Sequence, residues 1–156
     1  MLLGDRHEID VLVERYEDVV ARIARRHRVP RRRARLWFGE LVRFLDLCAE
    51  SPSTLAPSKP VDKAWHEFLL FTREYDAFCQ GRYGRFLHRD PHDRPDRDAY
   101  VRTYLDYTDR YGRPPRRVWP NPLVPTDGGG HGTGCGAGAG DGGGGCGGGG
   151  CGGGGA

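Results

Sequence analysis

The hydrophobic positions of the chain recur at the spacing of α-helices in four successive segments. These segments are residues 8–27, 30–51, 60–80 and 96–112. Pro30 and Pro60 suit the first turn of a helix, and Asp96 can cap the fourth segment at its N-terminus. No segment has the alternating pattern of a half-buried strand. The sequence therefore predicts an all-α fold, a small bundle of about four helices.

The third segment, read as one continuous helix, has a clear apolar face. At about 100° per residue, a stripe ~80° wide contains five residues that we expect to face the core: Trp65, Phe68, Thr72, Tyr75 and Cys79. His66 lies outside this stripe, and on a continuous helix it would be ~20 Å from Cys79 along the axis. These two side chains are therefore not expected to share a metal ion.

The C-terminal part of the chain predicts two non-helical regions. Residues 113–125 contain Trp119 among five prolines, which favours an irregular strap around the bundle. Twenty of the 25 glycines follow Asp127, so residues 126–156 are expected to form a disordered Gly/Cys-rich tail beyond a domain at residues 1–125.

The net charge of +3 hides a strong preference for arginine, with 22 arginines and two lysines. Eight of the arginines lie between Arg22 and Arg35, with no acid among them. Four acids flank this run, at Glu14, Glu17, Asp18 and Glu40. They favour a solvated helix corner over a phosphate-binding patch, so nucleic acid is not the expected partner. Without an apolar stretch for a membrane span or a signal peptide, we expect a soluble, cytoplasmic protein.

Two groups of polar residues are candidates for chemistry. Asp62 and His66, one helical turn apart, can form a pair in which the carboxylate orients the imidazole. Cys79, His88 and His92 can form a second group with the ligand types of a zinc site, or one that is sensitive to oxidation. Each also has a structural interpretation: Cys79 as a small core residue, His66 as a helix-stabilising partner of Asp62, and His92 as a surface loop residue.

The tail carries three further thiols, at Cys135, Cys146 and Cys151. Their spacing does not match the close pairs of a zinc ribbon or a thioredoxin motif. Three interpretations stay open: an inert low-complexity tail, a loose tether for soft metals or redox chemistry, or a substrate of enzymes that modify Cys and Gly.

The run VDKAWHEFLLFTREYDAFC, followed by GRFLHRDP and YLDYTDRYGRPP, resembles the glycine-rich domain-containing protein-like family of plants and bacteria. The resemblance covers residues 52–119 and rests on six positions, which are Asp62, Trp65, His66, Tyr75, Cys79 and His88. Bacterial members similarly end in a glycine and cysteine tail. Membership implies no established activity.

The leading hypothesis is a non-enzymatic helical module with a metal-binding or redox-sensitive polar site, zinc being the candidate metal. One alternative is a precursor or scaffold whose tail is modified by an enzyme or recognised by a protein partner. Another is a hydrolase-like enzyme in which Asp62 orients His66 as a general base, although no nucleophile or oxyanion donor pairs with it.

Overall fold

Six helices make up the part of the chain that the computed structural model describes, residues 3–89 and 96–124. They are α1 (Leu3–Arg15), α2 (Glu17–His27), α3 (Arg31–Glu50), α4 (Lys59–Leu69), α5 (Thr72–Tyr83) and α6 (Arg97–Tyr111). The described residues contain no strand, which confirms the all-α prediction, although the helices number six rather than about four. None of these helices is long and apolar enough to cross a bilayer. The tail, residues 126–156, lies outside the described residues.

Helix α3 lies at the centre of the bundle. It contacts α1, α2, α4 and α6, and every residue from Trp37 to Leu47 is buried. A helix that is buried on all sides must bury any charged side chain it carries along that stretch. Three such side chains occur on α3, at Glu40, Arg43 and Asp46.

The first predicted helix is divided at Tyr16 into α1 and α2. Tyr16 departs from helical geometry, with φ −104° and ψ 36°, while backbone hydrogen bonds continue on both sides of it. Its ring is inserted among three core phenylalanines, with centroid distances of 5.2 to 5.8 Å to Phe38, Phe68 and Phe78. The bend at this residue allows an aromatic side chain to reach the centre of the core.

The prediction of one helix over residues 60–80 is wrong, because the chain turns at Phe71 between α4 and α5. Phe71 has φ −90° and ψ 65°, and Thr72, expected to face the core, is exposed. The break gives each helix its own buried face, with Trp65 and Phe68 on α4 and Tyr75 and Cys79 on α5. The ~20 Å separation of His66 and Cys79 assumed a continuous helix and does not apply.

The second and fourth predicted helices are confirmed as α3 and α6. The Asp96 carboxylate caps α6 by accepting a hydrogen bond of 2.9 Å from the backbone N–H of Ala99. The helix ends at Gly112, whose φ of +78° suits glycine. After it, residues 113–124 form the predicted irregular strap, in which Val118 and Trp119 are fully buried.

A buried carboxylate on α3 joins the strap to the bundle. Glu40 Oε2 accepts hydrogen bonds from Tyr107 Oη of α6 at 2.7 Å and from Trp119 Nε1 at 2.9 Å. Its other oxygen accepts from the guanidinium of Arg43. Burial, followed by the negative charge of Glu40, raises the pKa of Tyr107, so the phenol remains a donor. Three segments of the chain therefore meet at one carboxylate.

We predict that Glu40→Ala lowers the free energy of unfolding by about 3 to 5 kcal/mol, because it leaves the Arg43 guanidinium buried without its carboxylate. Urea denaturation followed by circular dichroism measures the loss. Glu50→Ala is the matched control on the same helix, since the Glu50–Arg110 pair is exposed and should contribute less than about 1 kcal/mol. Equal losses in the two variants would show that Glu40 does not organise the bundle.

Candidate functional site

A cleft of about 380 Å³ lies between the α3–α4 loop, residues 51–58, and the segment that follows α5, residues 84–89. Five of its lining residues have ionisable side chains: Cys48, Asp62, Arg85, His88 and Arg89. The rest of the lining is mostly apolar or small, including Leu55, Phe86 and Leu87. The volume is within the range of small-molecule sites.

The α3–α4 loop forms one wall of the cleft and is fixed by α6. The backbone N–H of Ala56 donates to Thr103 Oγ1 at 2.9 Å, and that hydroxyl donates to the carbonyl of Ala99 at 2.8 Å. Thr103 is fully buried, so this contact is shielded from water. Arg102 adds a longer hydrogen bond of 3.3 Å to the carbonyl of Thr54. The position of this wall therefore depends on the packing of α6.

The opposite wall, residues 84–89, is held by a buried chain of hydrogen bonds. Trp65 Nε1 of α4 donates to Tyr75 Oη of α5 at 2.9 Å, and Tyr75 Oη donates to the carbonyl of Leu87 at 2.7 Å. Burial raises the pKa of Tyr75, so the phenol keeps the proton that it donates. The Phe86 ring packs edge-on against Tyr75, at 5.1 Å between centroids. This wall is thus anchored in the aromatic core.

The end of α5 is fixed to α3 through Asp46. Arg82 donates to both carboxylate oxygens of Asp46, at 2.6 and 3.0 Å, and the hydroxyl of Tyr83 donates to Oδ1 at 2.8 Å. Gly84 then adopts a left-handed conformation, with φ +67°, which ends the helix. The chain leaves this turn directly into the wall of the cleft.

Asp62 pairs with Arg89 in the structure, which replaces the expected pair with His66. Its two carboxylate oxygens accept from Arg89 Nε and a terminal guanidinium nitrogen at 2.8 and 2.9 Å. Asp62 lies in the first turn of α4, where a negative charge also interacts favourably with the helix dipole. His66 is exposed and does not line the cleft. A carboxylate held by a bidentate arginine is not arranged to orient an imidazole.

The three residues proposed as metal ligands have different locations. Cys79 is fully buried, whereas His88 is exposed at the cleft, where its ring lies 4.8 Å from that of Phe86. His92 lies outside the described residues, as do Cys135, Cys146 and Cys151. Among the residues that the structure describes, no group of three His, Cys, Asp or Glu side chains could hold a metal. Zinc binding by Cys79, His88 and His92 stays a prediction.

The two described thiols are protonated at neutral pH. Burial raises the pKa of Cys79, and hydrogen bonds from the Leu87 backbone and the Tyr75 side chain oppose this only in part. Burial also raises the pKa of Cys48, to about 12, despite the opposing charge of Arg85. Because the thiolate is the reactive form, neither environment favours a redox-sensitive cysteine.

Sequence reasoning did not identify three of the ionisable residues that line the cleft, which are Cys48, Arg85 and Arg89. Arg89 is 27 positions from its partner Asp62, and no local spacing rule relates the two. Arg85, which follows α5, donates to the carbonyl of Ala49 at 2.9 Å. This hydrogen bond holds its guanidinium at the last turn of α3. The one available signal was the density of cations in the run GRYGRFLHR.

We predict that Tyr75→Phe destabilises the fold by about 2 to 4 kcal/mol, because the Trp65 N–H and the Leu87 carbonyl both lose a buried partner. Thermal or urea unfolding measures the change. Tyr104→Phe is the matched control, since Tyr104 is buried on α6 but its hydroxyl makes no hydrogen bond among the described residues. If both variants are equally stable, the Tyr75 hydroxyl does not hold the wall of the cleft.

We also predict that Cys48 in the folded protein reacts with iodoacetamide at pH 8 about a hundredfold more slowly than a free thiol, because so little thiolate is present. Peptide mass spectrometry after timed labelling measures the rate at this cysteine. The control is the same protein in urea, in which Cys48 should react at the rate of a free thiol. Rapid labelling of Cys48 without urea would show an accessible, activated thiol.

A family model described as UCP032817-like matches residues 13–100, which is more than half of the chain. Curated proteins give no significant match, and solved structures give none either. The expected membership in the glycine-rich domain-containing protein-like family is wrong. It rested on residues 52–119 and the glycine tail, whereas the matched region extends from α1 to α6 and does not include the tail. The helices that build both the core and the cleft thus place the chain in the UCP032817-like family.

Proposed function

We propose that this domain is a non-enzymatic binding module that holds a small organic anion in the cleft between residues 51–58 and 84–89. The observation that carries the proposal is the arrangement of Arg85, His88 and Arg89 on one segment beside an apolar surface. The lining has two guanidinium groups but one carboxylate, that of Asp62, so its net charge is positive. Such a site suits a ligand with a carboxylate or phosphate group and an apolar body.

The segment that carries these cations is preorganised for binding. Tyr75 holds the Leu87 carbonyl, Arg85 is held to the carbonyl of Ala49, and Arg89 is held by Asp62. Because these side chains are fixed before a ligand arrives, binding requires less loss of conformational entropy. An arginine has five N–H donors, and the contacts of Arg85 and Arg89 leave other donors for a ligand.

Binding rather than catalysis is the better account of the same side chains. The thiol of Cys48 is protonated, and Asp62 is engaged by Arg89, so neither is a ready nucleophile or general base. The enzyme hypothesis depended on His66 oriented by Asp62, and His66 is exposed outside the cleft.

Zinc is the competing ligand. His88 at the cleft favours it, but a zinc ion bound by Cys79 would have to replace the proton of a fully buried thiol whose pKa is raised. Elemental analysis of the purified full chain separates the two proposals. Stoichiometric zinc that is lost in both Cys79→Ser and His88→Ala would favour the metal site over the anion site.

We predict that benzoate, used as a probe with a carboxylate and an apolar ring, shifts amide signals of residues 53–56 and 85–89 in nitrogen-15 correlation spectra. Arg85→Gln should weaken binding about tenfold or more, because it removes a charged hydrogen-bond donor. Arg113→Gln is the matched control, since Arg113 is exposed in the strap and does not line the cleft. Shifts scattered over the surface, or unchanged by Arg85→Gln, would contradict the proposal.

A further inference from the structure

A second charged surface lies at the corner between α2 and α3, apart from the cleft residues. The last turn of α2 carries arginines, Arg28 follows in a left-handed conformation with φ 52°, and α3 begins with Arg31. Five exposed arginines within nine residues form what we term the arginine corner: Arg25, Arg26, Arg28, Arg32 and Arg33.

The acids that seemed to neutralise this corner in the sequence are engaged elsewhere. Glu17 accepts from Arg31 and Arg35, and a Glu14 carboxylate oxygen lies 4.0 Å from the guanidinium of Arg35. Neither of these two arginines is part of the corner. Glu40 is buried and takes part in the core with Arg43. None of the five corner arginines has a carboxylate within ion-pair distance among the described residues.

Two further acids near the corner, Glu67 and Asp18, do not pair with its five arginines either. Glu67 accepts a hydrogen bond of 2.7 Å from Arg22, which is not part of the corner. Asp18 is on α2 two turns before Arg25, at a distance of about 10 Å along the axis, which is near the screening length at physiological salt. The acids near the arginine run thus pair with Arg22, Arg31 and Arg35, and they leave the five arginines of the corner exposed to solvent.

The placement of Arg32 and Arg33 also opposes the stability of the helix that carries them. They lie in the first turn of α3, which has no acidic residue and no side-chain cap from Pro30. Positive charge at a helix N-terminus interacts unfavourably with the helix dipole. These arginines thus weaken α3 slightly, and their side chains make no compensating hydrogen bond or ion pair within residues 3–89 and 96–124.

We propose that the arginine corner binds the phosphate backbone of a nucleic acid duplex. Arginine guanidinium groups match phosphate oxygens in a bidentate geometry, and a cluster of five exposed arginines within nine residues suits a polymer that carries many phosphates. The contacts would be independent of base sequence, because no exposed aromatic side chain is available at the corner for stacking on bases. Trp37 follows Arg33 by four residues, but its side chain is buried and lies beside His27.

A membrane surface suits the corner less well. Helices that bind at a bilayer interface insert an apolar face beside their basic residues. Among the exposed large apolar side chains of the described residues, Leu36 is the one nearest in sequence to the corner, and it stands alone. The surface is therefore charged without the apolar area that lipid insertion requires.

The test is fluorescence anisotropy of a labelled mixed-sequence DNA duplex of about 20 base pairs, titrated with the full chain at several salt concentrations. Contacts to three to five phosphates give a slope of log K against log salt of about −3 to −4.5. The variant R25Q/R32Q/R33Q should make that slope shallower by about 2 to 3 and weaken binding at least tenfold at low salt. Its melting temperature should change little, because two cations leave the N-terminus of α3, where they are unfavourable, and one leaves the last turn of α2, where it is favourable.

The matched control is R113Q/R116Q/R117Q, which removes the same charge from three exposed arginines of the strap. It should retain most of the affinity and the salt slope. Equal loss in the two triple variants would reduce the effect to net charge and overturn the proposal. So would a failure of the unmodified chain to bind the duplex at low salt.

Two further outcomes bear on the proposal. Binding to vesicles of phosphatidylcholine with phosphatidylserine, sensitive to the corner variant but without duplex binding, would assign the surface to a membrane and overturn it. Arg85→Gln should bind the duplex normally, so loss of the anion site in the cleft and loss of the corner are distinguishable. If R25Q/R32Q/R33Q does not fold, the double variant R32Q/R33Q replaces it in the same titration. Its slope of log K against log salt should be shallower by about 1 to 2.

Discussion

The carboxylate of Glu40 is the interaction on which the rest of the described structure depends. Removing a charged group from water costs several kcal/mol, and hydrogen bonds recover that cost only if all the donors are in place. The donors come from α3, α6 and the strap, so the charge is satisfied only when α6 and Trp119 are docked on α3. Docked α6 then presents Thr103 to Ala56 and fixes one wall of the cleft. A buried charge thus specifies the position of a surface loop.

The opposite wall depends on the turn at Phe71. Because α4 and α5 are separate helices, Trp65 and Tyr75 approach each other, and the Tyr75 hydroxyl reaches the carbonyl of Leu87. Tyr75, which was expected to face the core, therefore holds this wall, and the thiol of Cys79 is buried beside it. The hydrogen bond to Leu87 fixes the segment that carries Arg85 and Arg89.

Apolar periodicity was sufficient to predict α3, α6 and the burial of Trp65 and Cys79, and the five prolines of residues 113–125 predicted the strap around Trp119. The periodicity did not predict the bends at Tyr16 and Phe71, because neither position has a glycine or proline. At the first bend the ring of Tyr16 packs against Phe68, and the second bend separates the helices of Trp65 and Tyr75, whose side chains are hydrogen-bonded. The cleft was less accessible to sequence reasoning. Asp62 was identified as a polar candidate, but its partner is determined by a contact across 27 residues rather than by a helical turn. Glu40 was counted as a surface acid because its position within an arginine-rich stretch does not indicate which way it points.

The distribution of charge follows from these buried contacts. Glu40, Asp46 and Glu67 are each paired with an arginine and are nearly inaccessible to solvent, so they add little negative potential to the surface. The net charge of +3 therefore understates the positive potential where arginines have no partner. An arginine that pairs with a buried carboxylate holds two segments of the fold together or satisfies a buried charge. The five arginines of the α2–α3 corner, in contrast, remain exposed, and two of them, Arg32 and Arg33, oppose the dipole of α3. Their positive charge is therefore available to an anionic partner.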